Sequence, residues 1–263
     1  MIEIVTADDP RIEAYFNLKK PKPGLNTFIA ENEKVVQRLL NSNTTVKSIL
    51  GLPTALDRNF ELIQKKGIQQ DKIFTASKSI LEEITGFSIH RGLLAEGEIP
   101  KLNLLEELES PILILNRIYD SENIGSILRT ARAFGINSCI YDRESSHPYL
   151  RRSVRVSMGN IFGIKFYEAP NIEETFPQLK SLGLQILGAS AIEDFMKPIS
   201  LYQYSFPDKW ALVLGNEANG IPENILTQCN ALIHIPMELG VDSLNVSHSL
   251  AGILAVWKYH SKI

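Results

Sequence analysis

The chain has 263 residues, 44% of them hydrophobic and 22% charged, with 16 glycines and 13 prolines. This composition excludes collagen-like, low-complexity and disordered chains, and the length has room for two domains of about 100–150 residues each. The net charge of −3 excludes recruitment of a polyanion by bulk field, so a nucleic-acid role must rest on local patches.

The first part of the chain reads as mixed α/β. A helix is expected over 31–40, a strand over 46–50, a helix over 59–66, a strand over 72–75 and a helix over 78–84, before the apolar stretch 92–95. No catalytic constellation stands out there. Its basic points are Lys19, Lys20 and Lys22 interleaved with Pro21 and Pro23, then Lys65, Lys66 and Arg91. Solvated lysines at loops and helix ends are the plain alternative to phosphate contact.

An acid-dense stretch over 98–110 puts the domain boundary near residue 105, with net charges of +1 for 1–105 and −4 for 106–263. Beyond it, short apolar runs without polar alternation predict strands over 112–115, 138–141, 164–167, 184–188, 210–214 and 231–235. Helical periods fall between or after them at 122–134, 173–182, 223–228 and 244–259. Such an alternation predicts a parallel sheet covered on both faces, a three-layer α/β domain.

The two cysteines, Cys139 and Cys229, have no Cys-x-x-Cys spacing, which points to a reducing compartment and away from a zinc ribbon. The N-terminus lacks a basic, then apolar, secretory pattern, and no apolar run approaches the ~20 residues of a spanning helix. A soluble, cytoplasmic protein without metal or membrane partner is expected.

Three segments carry chemistry. In the first, an apolar strand leads into Asn116-Arg117-Ile-Tyr-Asp120-Ser121-Glu122-Asn123-Ile-Gly125, followed by Arg129 and Gly135. Asp120 or Ser121 is the expected N-cap, and Gly135 the stop. Ile124, Ile127, Leu128, Ala131 and Phe134 form the core stripe, and Gly125 and Arg129 share another face. A glycine one turn into a helix costs up to ~1 kcal/mol relative to alanine, which points to a close approach beside a fixed cation.

In the second segment, Trp210–Leu214 runs into Gly215-Asn216-Glu217-Ala218-Asn219-Gly220-Ile221-Pro222. Open α/β sheets place ligands at such a loop. The two glycines have P-loop spacing, but Ile221 and Pro222 stand where Lys and Ser/Thr are needed, so nucleotide hydrolysis is not expected. Alone, Glu217 reads as a turn or cap residue. The third segment, Ile233-His-Ile235-Pro-Met237, leads through Asp242-Ser243-Leu244-Asn245-Val-Ser247-His248 into a helix. Asp242 or Ser243 is its expected cap, and Leu250, Ile253, Leu254 and Trp257 its apolar stripe, for core or a subunit interface. His248 alone reads as a cap or core histidine.

Taken in order, these segments resemble the SpoU-type, or TrmH-like, branch of the SPOUT RNA methyltransferases. The likeness covers about 110–260 and includes Ser157-Met-Gly159-Asn-Ile-Phe, with Asn160 where the family has alanine. His248-Ser249 replace the family's Val-Ala, and Ala218 replaces a glycine. Residues 1–105 look like the substrate-binding domain that many members carry, through Phe28-Ile-Ala-Glu-Asn-Glu and Thr85-Gly86-Phe-Ser-Ile-His-Arg91-Gly92.

The resemblance implies methyl transfer from S-adenosylmethionine to a ribose 2′-hydroxyl of tRNA or rRNA, on a deep trefoil knot. It also implies a homodimer. Carried over by position, Leu214, Gly215, Ile235, Met237, Leu244 and Asn245 would hold the cofactor, with Ala189 and Ser190 close by. Arg129 takes the catalytic position, with Asn123, Glu217, Asn245 and Ser247 orienting the ribose and Arg129 itself. Arg151, Arg152 and Arg155, with Lys19, Lys20 and Arg91, are candidate RNA contacts, surface salt bridges being the alternative for the arginines. A catalytically inactive RNA-binding module and a non-ribose acceptor on the same fold are the rival expectations.

Overall fold

The computed structural model describes residues 1–16, 26–86, 88, 92–192, 196–216, 219–238, 240 and 243–260. It divides into two compact units: Met1–Lys101 with Pro148–Phe162, and Leu102–His147 with Gly163–Ile263.

Unit 1 contains β1 (Ile2–Ile4), β2 (Thr27–Glu31), α1 (Glu33–Leu40), β3 (Val46–Gly51), α2 (Pro53–Arg58), α3 (Phe60–Lys66), β4 (Ile73–Ala76), α4 (Lys78–Thr85) and β5 (Leu93–Glu98). Its sheet order is β1-β4-β3-β5-β2. The first three strands run parallel, while β5 is antiparallel to both β3 and β2. The helix expected from residue 31 begins at Glu33, because Asn32, at φ 85°, caps it through the Lys34 amide. Glu31 instead ends a strand that the pattern did not reveal.

In unit 2 come β6 (Ile112–Leu115), α5 (Ser121–Ala133) and β7 (Ser138–Asp142). The chain then supplies α6 (Arg151–Val156), which belongs to unit 1. Unit 2 resumes with β8 (Lys165–Ala169), α7 (Ile172–Ser181), β9 (Gln185–Ala189), β10 (Ile199–Ser200), β11 (Trp210–Leu214), α8 (Glu223–Leu226), β12 (Ala231–His234) and α9 (Val246–His260). The sheet order among the described residues is β10-β12-β9-β11-β6-β7-β8, and every neighbouring pair is parallel.

Both faces of that sheet are buried, which is why its strands lack polar alternation. Ile112, Ile114, Ile186, Ala211 and Val213 pack with Ile172, Phe176 and Leu179 of α7 and with Ile225 and Leu226 of α8. On the opposite face Trp257 of α9 meets Trp210 edge-on at 5.1 Å, and α9 packs along α5. Leu250, Ile253 and Leu254 are buried, so this stripe is core of unit 2 and not an exposed subunit surface.

The segment Pro148–Phe162, expected to lie with the second domain, packs with the first unit for a visible reason. Glu31, 6% exposed, receives Arg151 Nη1 at 2.6 Å and Arg155 Nη1 at 2.9 Å. Phe28 lies 5.0 Å from Tyr149 and 5.5 Å from Phe162, ring centre to ring centre, and Arg38 Nη1 donates to the Met158 carbonyl at 2.7 Å. A carboxylate this buried requires paired charges, and α6 supplies them. Among the described residues no helix is long and apolar enough to cross a membrane.

Candidate functional site

A parallel sheet ends all its strands in one direction, and loops that are distant in sequence meet at its C-terminal edge. Here those loops enclose a cavity of about 360 Å³, within the ~300–1,000 Å³ usual for small-molecule sites. Ala189, Ser190, Ala191 and Ile192 after β9 form one part of its wall, and Leu214, Gly215, Asn216, Asn219, Gly220 and Ile221 after β11 another. Ile233, His234, Ile235 and Met237 follow from β12, with Ser243, Leu244, Val246, Ser249 and Ile253 at the start of α9.

Gly215 is the tightest point. A Cβ there would lie 2.5 Å from the Gly220 carbonyl carbon and oxygen, so no side chain fits without moving the backbone. Gly220 closes the loop at φ 65°, its amide donating to the Asn216 carbonyl at 2.8 Å. The result is a pocket with mostly apolar walls, to which Ser190, Asn216, Asn219, His234, Ser243 and Ser249 add polar groups. An adenosine-type ligand suits such a lining, since its flat base needs an apolar slot and its edges need N–H and C=O partners.

Beside the pocket, the first turn of α5 and the start of α9 are joined by a pair of asparagines. Asn245 Nδ2 donates to Asn123 Oδ1 at 2.9 Å, and Asn245 Oδ1 accepts from the Ser247 amide at 2.9 Å and from Ser247 Oγ at 2.7 Å. Asn245 is therefore the cap of α9, in place of Ser243, while Asp242 lies outside the described residues. Asp120 caps α5 through the Glu122 amide at 2.8 Å. Gly125 is buried in the helix, and Arg129 is exposed, with no ion pair among the described residues.

A family model described as the SpoU rRNA Methylase family matches residues 110–255, more than half of the chain. The chain belongs to that family.

Among its relatives, an uncharacterised tRNA/rRNA methyltransferase of Mycobacterium tuberculosis is 28% identical over 95% of this chain and 88% of its own length. A 23S rRNA (guanosine-2′-O-)-methyltransferase RlmB of Acinetobacter baylyi is 30% identical over 73% of this chain and 79% of its own. The fold is shared with an rRNA methyltransferase structure from Sinorhizobium meliloti, at a TM-score of 0.84 and 22% identity, covering 98% of this chain and 97% of that one.

In this SpoU methylase, Ala189, Ser190, Leu214, Gly215, Ile235, Met237 and Leu244 line one cavity, while Asn245 does not reach its wall. Asn123, Ser247 and Arg129 also lie outside the lining. Glu217, Lys19, Lys20 and Arg91 fall outside the described residues. Arg151 and Arg155 are occupied by Glu31, and Arg152 is exposed. Burial pushes the Cys229 thiol up to about 12 and raises Cys139 as well, so neither is a nucleophile at neutral pH.

Sequence reasoning missed Asn116 and Asp142. Asp142 Oδ2 accepts from Asn116 Nδ2 at 2.8 Å and from the Arg117 amide at 2.9 Å, which fixes the turn after β6. The signal was a polar residue ending each of two apolar strands. Asn216, Asn219 and His234 were likewise within the motifs but not singled out.

Proposed function

We propose that this SpoU methylase transfers a methyl group from S-adenosylmethionine to a ribose 2′-hydroxyl of tRNA or rRNA. The observation that carries the reading is that five of the six positions assigned to the cofactor by motif, together with Ala189 and Ser190 expected close by, line a single cavity at the C-terminal edge of the parallel sheet. S-adenosylmethionine bound there supplies an electrophilic sulfonium methyl.

This chain's residues do the rest. The apolar walls, Leu214, Ile221, Ile235 and Leu244 among them, exclude water, and the crowded Gly215 lets the backbone approach the ligand. Asn123 and Asn245 hold the first turns of α5 and α9 together and orient the acceptor ribose, with Ser247 fixing Asn245. Arg129 clamps the phosphate next to that ribose. A guanidinium stays charged at neutral pH and has no lone pair for a proton, so Arg129 acts as an electrostatic clamp and not as a base. Glu217 keeps an orienting role on its motif position alone.

The reading includes a homodimer, a trefoil-knotted chain path and an RNA contact at Arg152. Glu31 cancels one of the two charges of Arg151 and Arg155, so the α6 cluster retains positive charge for RNA. The test is methyl incorporation from labelled S-adenosylmethionine into total RNA and into a protein extract, together with nucleotide-resolution ribose mapping in a strain lacking the protein. RNA labelling and the loss of a ribose methyl are expected. Labelling of protein only, or an unchanged map without RNA labelling, would overturn the reading.

A further inference from the structure

The turn after β6 is held more firmly than its exposure requires. Besides the bonds that Asp142 accepts, Ser145 Oγ accepts from the Ile118 amide at 2.9 Å, the Ser146 amide donates to the Ile118 carbonyl at 2.9 Å, and Ser146 Oγ donates to the Tyr119 carbonyl. Ile118 is fully buried. The turn is also tied to the cavity wall, since the Asn116 amide donates to the Leu214 carbonyl at 2.9 Å and Asn216 Nδ2 donates to the Arg117 carbonyl at 3.1 Å.

This scaffold forces Arg117 to φ 56°, a left-handed conformation that glycine adopts freely and arginine does not. Strain of this kind persists where neighbouring structure over-determines it and concentrates at functional sites. The side chain's own bond does not account for it. Arg117 Nε donates to Glu144 Oε1 at 3.1 Å, but the two side chains are 45% and 56% exposed, and such surface pairs contribute little. Two residues on, Tyr119 is 53% exposed on a fixed backbone, its hydroxyl donating to Glu144 Oε2 at 3.4 Å.

An aromatic ring and a guanidinium on one rigid turn, beside a carboxylate from the turn after β7, are the groups that recognise an unstacked nucleobase. The ring supplies a stacking surface, and the charged pair supplies a donor and an acceptor for base edges. We propose that Tyr119 and Arg117 form a nucleobase platform at the rim of the cofactor cavity, which takes a flipped or single-stranded base of the RNA beside the ribose to be methylated. The proposal rests on the methyltransferase reading and adds to it the residues that select and position the acceptor strand.

The test uses the full chain and four readouts: affinity for a fluorescein-labelled single-stranded RNA of mixed sequence, affinity for the duplex of the same sequence, S-adenosylmethionine affinity by calorimetry, and Tm. Tyr119→Ala should weaken single-stranded RNA binding roughly tenfold or more, and Tyr119→Phe should stay near the wild type, because stacking needs the ring and not the hydroxyl. Arg117→Gly is the decisive variant. It relieves the backbone strain, so its Tm should equal or exceed the wild type while its RNA affinity falls several-fold. Duplex binding should respond less than single-strand binding in both variants, and cofactor affinity should not change.

Unchanged RNA binding in Tyr119→Ala, an equal loss in Tyr119→Phe, or a cofactor affinity that falls together with RNA affinity would overturn the platform. A wild-type protein that binds single-stranded RNA through Tyr119 but methylates no RNA would sink the methyltransferase reading and leave the platform standing. A wild-type protein that neither binds nor methylates RNA would remove both.

Discussion

The sheet of unit 1 changes direction at β5, whereas that of unit 2 is parallel throughout its described strands. The two units spend their buried polar groups differently as a result. In unit 1 they satisfy one another inside the fold. The fully buried Tyr15 hydroxyl lies 2.9 Å from Ser48 Oγ and accepts from the Glu96 amide at 3.1 Å, while Ser48 Oγ reaches Glu96 Oε2 at 3.2 Å. Glu31 is consumed in the same way by two arginines. In unit 2 the polar residues gather where the strands end together. Asn116, Asp142, Ser190 and Asn216 each sit at or just beyond the C-terminal end of a strand, in or beside the loops around the cavity. An antiparallel return ends neighbouring strands at opposite edges, but a parallel sheet collects every loop at one edge, and that edge is where a ligand site can be assembled.

The contrast can be broken most directly at Glu31. Glu31→Gln keeps the shape but leaves Arg151 and Arg155 facing each other without a counter-charge. Removing one partner of a fully buried pair costs about 3–5 kcal/mol, and with Arg155 40% exposed a loss of about 2 kcal/mol is expected here. Chemical denaturation would measure it. A loss within ~0.5 kcal/mol would mean that the pair behaves as an ordinary surface contact and that the packing of α6 has another origin.

A second variant sharpens the comparison by placing the same lesion in each unit. Gly215→Ala pushes a Cβ against the Gly220 backbone at 2.5 Å, and S-adenosylmethionine affinity should fall at least tenfold, about 1.4 kcal/mol. Gly51→Ala in unit 1 meets the Gly92 carbonyl oxygen at 2.8 Å. It should lower Tm and leave cofactor affinity, read by calorimetry, where it was. Equal cofactor losses in both variants would erase the division of labour.

The smallest expected effect is at Asn245. Asn245→Ala removes a helix cap and should cost about 1 kcal/mol in stability. Asn245→Asp keeps the oxygen that accepts from Ser247 and loses the donor to Asn123, so Tm should recover while methyl transfer does not. If the aspartate variant is as active as the wild type, the bond between the two asparagines has no part in orienting the acceptor.

Much of unit 2 was legible because its signals are local. A buried parallel strand is a short apolar run and a covering helix has a 3.6-residue period, so β6, α5, β7, β11 and β12 were found within one or two residues. The first unit was harder. β2 and β5 pair antiparallel at its edge, Glu96 and Gly97 interrupt the apolar pattern of β5, and of the helices α2 and α3 only α3 was expected. The loops of the cavity were visible as glycine-bracketed motifs, but which side chains line it was not. Asn245 looked like a ligand residue and is a cap facing Asn123, 122 residues away.

The sequence by itself determined most element types of unit 2, its parallel character and the family, because each depends on periodicity or on short ordered motifs. Only the tertiary structure decided that Pro148–Phe162 packs with the first unit, that Leu250, Ile253 and Leu254 face the core, and that Arg117 is held at positive φ. Each of these outcomes follows from a buried polar group or an apolar face finding its partner far along the chain. Glu31 meets Arg151, Trp210 meets Trp257, and Asp142 meets the Arg117 amide, and no local pattern records which partner will be near.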